Sequence, residues 1–327
     1  MKTILILRFS AMGDVAIAAS VMKEIAAQNP EIHFVFATRE FFAPFFEDIP
    51  NLEIFPIDFK EKYKGLKGIF RLYKNLTQQY KIDAVADLHD VLRSKLLTFC
   101  FRLSLKKIKI STIYKGRIEK RRLCHSNNQN KIPLAPTWKR YVDVFQKLSL
   151  QTDVEPTSIP FNPENVKKIG VSPFAQHKGK IYPPELLEIV LALLHKDYEF
   201  YLFGGGKNEQ ELCEQWQSKF ENVYSLVGKY SLKEELDFIS GLDVMLSMDS
   251  SGMHLASLCN IPCVSIWGAT HPYSGFVGFG QDENPKIQLE LSCRPCSVYG
   301  NKPCKFKDYR CLWGIEPELI AIVLSSV

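Results

Sequence analysis

"TILILRFSAMGDVAIAASVM", residues 3–22, holds the reading that decides the fold. Thr3–Leu7 is an apolar run of strand length, Gly13 allows a turn, and Val15–Ala19 continue with no polar residue in a segment long enough for a helix. An apolar strand passing at once into an apolar helix is the opening unit of a parallel sheet covered on both faces. One carboxylate, Asp14, stands where the two elements meet. Taken alone, Asp at a helix start is an N-cap. Its apolar neighbours leave that start little polar face, so it is expected to be buried, toward either core or a cleft.

The same alternation runs outward through the chain. In the first half, strands are expected at 3–7, 33–37, 52–57, 83–88 and 108–112, with helices beginning near Gly13, Phe41, Leu66 and Val91 and another from about Pro136 to Leu148. "QTDVEPTSIPFNPENVKK" (151–168) is polar and Pro-containing and reads as a linker. A second series follows, with strands at 169–174, 199–204, 243–248 and 262–267 and helices at about 183–195, 207–219, 231–241 and 251–259. The expectation is α/β with two doubly wound Rossmann-like domains facing across a cleft, 1–155 and 165–327. A chain of 327 residues suits two domains of ordinary size.

Composition excludes the special classes. With 46% hydrophobic and 24% charged residues the chain has the profile of a soluble globular protein. Arg8 interrupts the first apolar run before it reaches signal-peptide length, and Arg102 breaks the nearest membrane-helix candidate, so a cytoplasmic protein is expected. The formal charge of +5 is modest, yet Lys106–Arg122 carries eight basic residues against Glu119 alone. Such a cluster suits an anionic partner or a solvated loop. Nine cysteines argue for reduced thiols over a disulfide framework. Cys293, Cys296, Cys304 and Cys311 leave a zinc site open, although the second pair is spaced too widely for the usual knuckle.

Ligands of open α/β sheets bind at the carboxyl ends of strands, where helix N-termini present free amides. Four strand-to-helix turns therefore carry the candidates. The first holds Asp14. The second, "SPFAQHKGKIYPPE" (172–185), sets Lys178 and Lys180 above the sheet, suited to a phosphate or to solvent. The third, "LFGGGKNEQ" (202–210), has three glycines but neither a P-loop nor a full G-x-G-x-x-G, so a dinucleotide-dependent oxidoreductase is poorly supported. The fourth, "SMDSSGMHLASLCNIPCVSIWGATHP" (247–272), gathers Asp249, Ser250, Ser251, Gly252 and His254 at one helix start, a ready diphosphate site.

With "SAMGD", "KIYP", "GGGK", "DSSGMHLA" and "WGATHP" in this order, nearly the whole chain resembles the ADP-heptose:lipopolysaccharide heptosyltransferases of glycosyltransferase family 9. The resemblance implies GT-B architecture and inverting transfer of a heptose from ADP-heptose to a lipopolysaccharide inner-core acceptor. Asp14 matches the family's general base. Lys180 matches its donor-phosphate lysine, and Asp249, Ser250, Ser251 and His254 its donor-binding turn. Two positions depart from the pattern. Ser251 stands where the family commonly has Gly, with Gly252 following, and Glu209 is the nearest acid to the glycine loop where many members hold the donor ribose.

A single displacement needs one base on the acceptor side and stabilisation of the departing diphosphate. Lysine and helix amides can carry that charge, so neither metal nor cofactor is expected. Domain closure would bring donor and acceptor together. In this setting Arg117, Arg121, Arg122 and Arg140 become candidate contacts to an anionic core acceptor, with peripheral contact at the inner membrane surface. Nucleic acid is the weaker partner, because the basic run lacks interleaved stacking aromatics beyond Tyr114. The displaced glycine keeps open a catalytically silent glycan- or nucleotide-binding relative.

Overall fold

The computed structural model describes residues 2–104, 107–125 and 131–325; Lys106 of the basic run lies outside them. Chain contacts divide the protein into two compact units, Met1–Lys115 with Thr137–Glu155, and Gly116–Pro136 with Pro156–Val327. The first contains β1 (Lys2–Leu7), α1 (Met12–Gln28), β2 (Ile32–Thr38), β3 (Leu52–Pro56), α2 (Gly65–Gln79), β4 (Ile82–Asp87), α3 (Leu92–Arg102) and β5 (Lys109–Thr112). The chain then forms α4 (Arg117–Leu123), which belongs to the second unit, and returns to the first in α5 (Thr137–Lys147). The expected first domain, 1–155, thus differs by this one excursion, which carries Arg117, Arg121 and Arg122 into the second unit and leaves Arg140 in the first.

All strands of the first sheet are parallel, in the order β3-β2-β1-β4-β5. The chain winds from β1 toward one edge and then, from β4, toward the other, so its switch point lies between the neighbours β1 and β4. The central strands β1, β2 and β4 are mostly apolar and buried because helices cover both faces, whereas the edge strands β3 and β5 are partly polar and exposed. Small side chains let α1 bury Val15–Met22 without interruption. The helix expected near Phe41 is a 3-10 segment, Glu40–Phe46, with Pro44 inside it, where a missing N–H and a ring oppose α continuation.

The second unit continues with β6 (Lys168–Ser172), α6 (Pro184–Leu194), β7 (Glu199–Leu202), α7 (Lys207–Lys219), β8 (Val223–Ser225), α8 (Leu232–Ile239), β9 (Val244–Met248), α9 (Ser251–Leu258), β10 (Cys263–Ile266), β11 (Lys286–Ile287), α10 (Arg310–Trp313) and α11 (Pro317–Leu324). Its parallel sheet runs β11-β10-β9-β6-β7-β8, which puts the switch point between β6 and β9. β8 and β11 are too short to show a period in sequence, and α10 and α11 follow a loop-rich segment; none of the four was expected. Among the described residues no helix is long and apolar enough to cross a membrane.

Candidate active site

Each switch point carries charge. In the first unit the turn after β1 brings back Asp14, and the turn after β4 supplies Asp87 and His89. Helix α1 begins at Met12 with Ala11 at its N-cap, so Asp14 is the third helical residue and caps nothing. Its Oδ2 forms an ion pair with the Arg8 guanidinium, while its side chain remains 30% exposed. Arg8 is buried and donates Nη1–H to the Leu88 carbonyl at 3.0 Å, which ties the turn after β1 to the end of β4. Burial opposes the Arg8 charge, but Asp14, followed by Tyr141, lifts its pKa above the usual arginine value.

Asp87 organises the neighbouring turn. It is fully buried and accepts from the backbone N–H groups of His89 and Asp90, each at 2.9 Å, and from the Ser94 hydroxyl at 2.9 Å. Burial raises its pKa against those three donors. Burial, then Arg8 and Lys115, push the His89 pKa down to about 3, leaving a neutral ring at pH 7. Its Nδ1 accepts from the Phe9 N–H at 3.3 Å, which places the ring proton on Nε2.

In the second unit the loop after β6 and the turn after β9 meet in an ion pair, Lys180 Nζ to Asp249 Oδ2 at 3.0 Å. The Asp249 carboxylate is buried, and α9 starts at its side, with Ser250 at the N-cap making no side-chain cap. Ser250 and Ser251 are half-buried beside uncapped helix amides, an arrangement suited to an anion. The glycine at 252 is set by packing: a Cβ there would run into the Ser172 side chain of β6 and come within 2.9 Å of Ser247 Oγ. His254 is buried one turn into α9.

The same loop is stitched to the one after β10. Ala269 N–H donates to the Gly179 carbonyl at 2.7 Å, and a Cβ on Gly268 would approach that carbonyl to 2.6 Å. Arg294, 2% exposed, holds the second loop from beneath. It donates to the carbonyls of Gly268 at 2.5 Å, Thr270 at 2.9 Å and Trp267 at 3.0 Å, and to that of Leu289.

The family model of glycosyltransferase family 9 (heptosyltransferase) matches residues 69–307. The chain belongs to glycosyltransferase family 9. It is 26% identical to lipooligosaccharide heptosyltransferase 2 of Campylobacter jejuni, covering 94% of this chain and 93% of the relative. It is 24% identical to a lipopolysaccharide core heptosyltransferase of Haemophilus influenzae, covering 83% and 80%. The ADP-heptose lps heptosyltransferase II of E. coli shares the fold at a TM-score of 0.67 and 16% identity, over 99% of this chain and 97% of that one. An E. coli heptosyltransferase solved with ADP aligns at a TM-score of 0.65 and 17% identity, over 91% and 96%. The fold is therefore GT-B, and the chain is a glycosyltransferase.

Within this family frame the structure brings together Lys180, Asp249, Ser250, Ser251 and Gly252. The basic candidates divide. Arg117, Arg121 and Arg122 are exposed on α4, whereas Arg140 is buried, its Nη1 donating to the Tyr114 carbonyl at 3.1 Å. Glu209 turns into the glycine loop and accepts from Gly205 N–H at 2.7 Å. All nine cysteines are free thiols, and among the described residues no three His, Cys, Asp or Glu side chains converge as a metal-ligand group. Burial, then Cys293 and Cys304 nearby, push the Cys296 thiol up. Sequence reasoning missed Arg8, Asp87, His89 and Arg294. "DLHD" at a strand end was a usable signal for the second and third.

Proposed function

We propose that this glycosyltransferase moves a heptose from ADP-heptose to a hydroxyl of a lipopolysaccharide inner-core acceptor, with inversion and with Asp14 as general base. The observation that carries the reading is the pair of charged switch points: an Arg8-held, partly open carboxylate in one unit and a lysine beside an uncapped helix start in the other. The activities of the relatives, and the ADP bound in the E. coli structure, support the donor and acceptor classes.

In the proposed step the acceptor O–H gives its proton to Asp14 as its oxygen attacks the anomeric carbon. The bond from that carbon to the diphosphate oxygen breaks, and its electron pair leaves with ADP. Lys180 and the first amides of α9 receive the growing negative charge. Arg8 fixes the carboxylate that must meet the hydroxyl. Asp249 orients Lys180, and Arg294 keeps the loop beside it in place. Arg117, Arg121 and Arg122 are proposed acceptor contacts, with the enzyme working at the cytoplasmic face of the inner membrane.

Incubation with ADP-heptose and a panel of deacylated core acceptors, read by mass analysis, tests the reading. A gain of one heptose on an acceptor supports it; no gain with any ADP-sugar overturns it.

A further inference from the structure

Helices α2 and α3 pack on the same face of the first sheet, contributing Ile69, Leu72, Leu76, Leu97 and Phe101 to one core, and touch one another where Tyr73 meets the Phe101 ring at 5.0 Å. Their outer faces carry an unusual combination. From Lys62 to Lys81 the chain has six lysines and arginines and no carboxylate, and from Val91 to Leu103 it has three and none. Lys67, Arg71 and Lys74 are exposed along α2. Of the acids beside α3, Asp87 accepts from Ser94 and is fully buried, and Asp90 is mostly covered and paired with Lys95 at 3.2 Å.

Large apolar side chains stand exposed among these charges. Leu66 is 72% exposed and Phe70 58% on α2, and Leu92, Phe99 and Leu103 are exposed on or beside α3. Leu66, Phe70 and Lys74 follow at four-residue spacing, so one helical stripe carries two apolar groups and then a cation. Isolated exposed apolar residues need no explanation, but five on two adjacent helices that lack any carboxylate form a patch.

We infer that the outer face of α2 and α3 docks on an anionic phospholipid surface. Charge complementarity selects the occupant: a cationic face without carboxylates is drawn to anionic headgroups, and exposed leucines gain by entering the acyl boundary. Nucleic acid offers phosphate but nothing for aliphatic side chains to enter. The inference deepens the reading of a lipid-borne acceptor, since docking would hold the enzyme where such an acceptor lies.

Flotation of the full chain with vesicles tests it. The wild type is expected to bind vesicles of phosphatidylcholine and phosphatidylglycerol in equal parts and to ignore phosphatidylcholine alone. Each charge near the surface contributes about fivefold, so Lys67→Glu/Arg71→Glu/Lys74→Glu should weaken binding by about 100-fold or more. Leu66→Ser/Phe70→Ser should weaken it by about tenfold, including at raised salt. Both variants should melt like the wild type and transfer at its rate to a deacylated acceptor. A wild type indifferent to phosphatidylglycerol, variants that bind vesicles as it does, or equal loss of binding to duplex DNA with vesicle binding kept would overturn the inference. Failure of the wild type to transfer to any acceptor counts against the proposed function instead and leaves vesicle binding to be read by itself.

Discussion

Asp14 reaches Arg8 with one carboxylate oxygen and leaves part of its side chain open, which suits a base that must be both aimed and reached. Asp14→Asn preserves the shape and removes the proton acceptor; kcat should fall by roughly 10²–10⁴-fold while donor binding persists. A variant that transfers at full rate would reduce Asp14 to a structural partner of Arg8. Lys180→Ala removes the charge proposed to meet the leaving group and strips Asp249 of its partner. The KM for donor should rise more than about tenfold, with kcat reduced as well, because diphosphate charge grows in the transition state. At this scale the sequence marked Asp14 but not its partner. Arg8 shows in sequence only as a break in an apolar run, because its pairing is made across a turn, where no period links the two positions.

The element that reads most differently once folded is α9. Its sequence offers two serines and then a glycine, and the glycine looks displaced if its task is to approach a phosphate. Packing accounts for it: α9 begins so close to β6 that position 252 has no room for a Cβ beside Ser172. Gly252→Ala should cost about 1–3 kcal/mol through overpacking and lower Tm by several degrees, measured by calorimetry. Arg294 plays the equivalent part for the loop after β10. Arg294→Met would leave several buried carbonyls without a donor, each costing about 1–3 kcal/mol, and should both lower Tm and raise the donor KM. A melting curve unchanged by that substitution would rule out the clamp. No local pattern announces such a residue, since the three carbonyls it holds in that loop lie more than twenty positions away.

Across the whole molecule, each unit holds a histidine in its neutral form, His89 half-buried and His271 buried. Burial, with Arg8 and Lys115, holds His89 near 3, and burial, with Arg294 and Lys131, holds His271 near 4. Both values lie below that of an unfolded histidine, so between about pH 6.5 and 4 the unfolded chain binds protons that the folded chain does not. Their stabilising contribution is complete above pH 6.5 and is lost as pH falls. Asp87, raised by burial, acts in the opposite sense, so the effect is best isolated by difference. His89→Gln should lose less stability from pH 7 to pH 5 than the wild type, by about 1 kcal/mol at pH 5, read as a smaller fall of Tm. Equal slopes would mean that His89 is charged in the folded state.

By itself the sequence determined the two parallel α/β layers, the turns that hold the candidate site and the family, because strand and helix periods and turn residues are local properties written over adjacent positions. The tertiary structure decided the rest. It moved 116–136 into the second unit, turned Asp14 from a cap into the partner of Arg8, and paired Lys180 with Asp249. It also showed that Gly252 serves packing and that α2 and α3 share one cationic, apolar face. Each of these depends on which distant residues the winding of the sheets brings together, and neither composition nor periodicity carries that information.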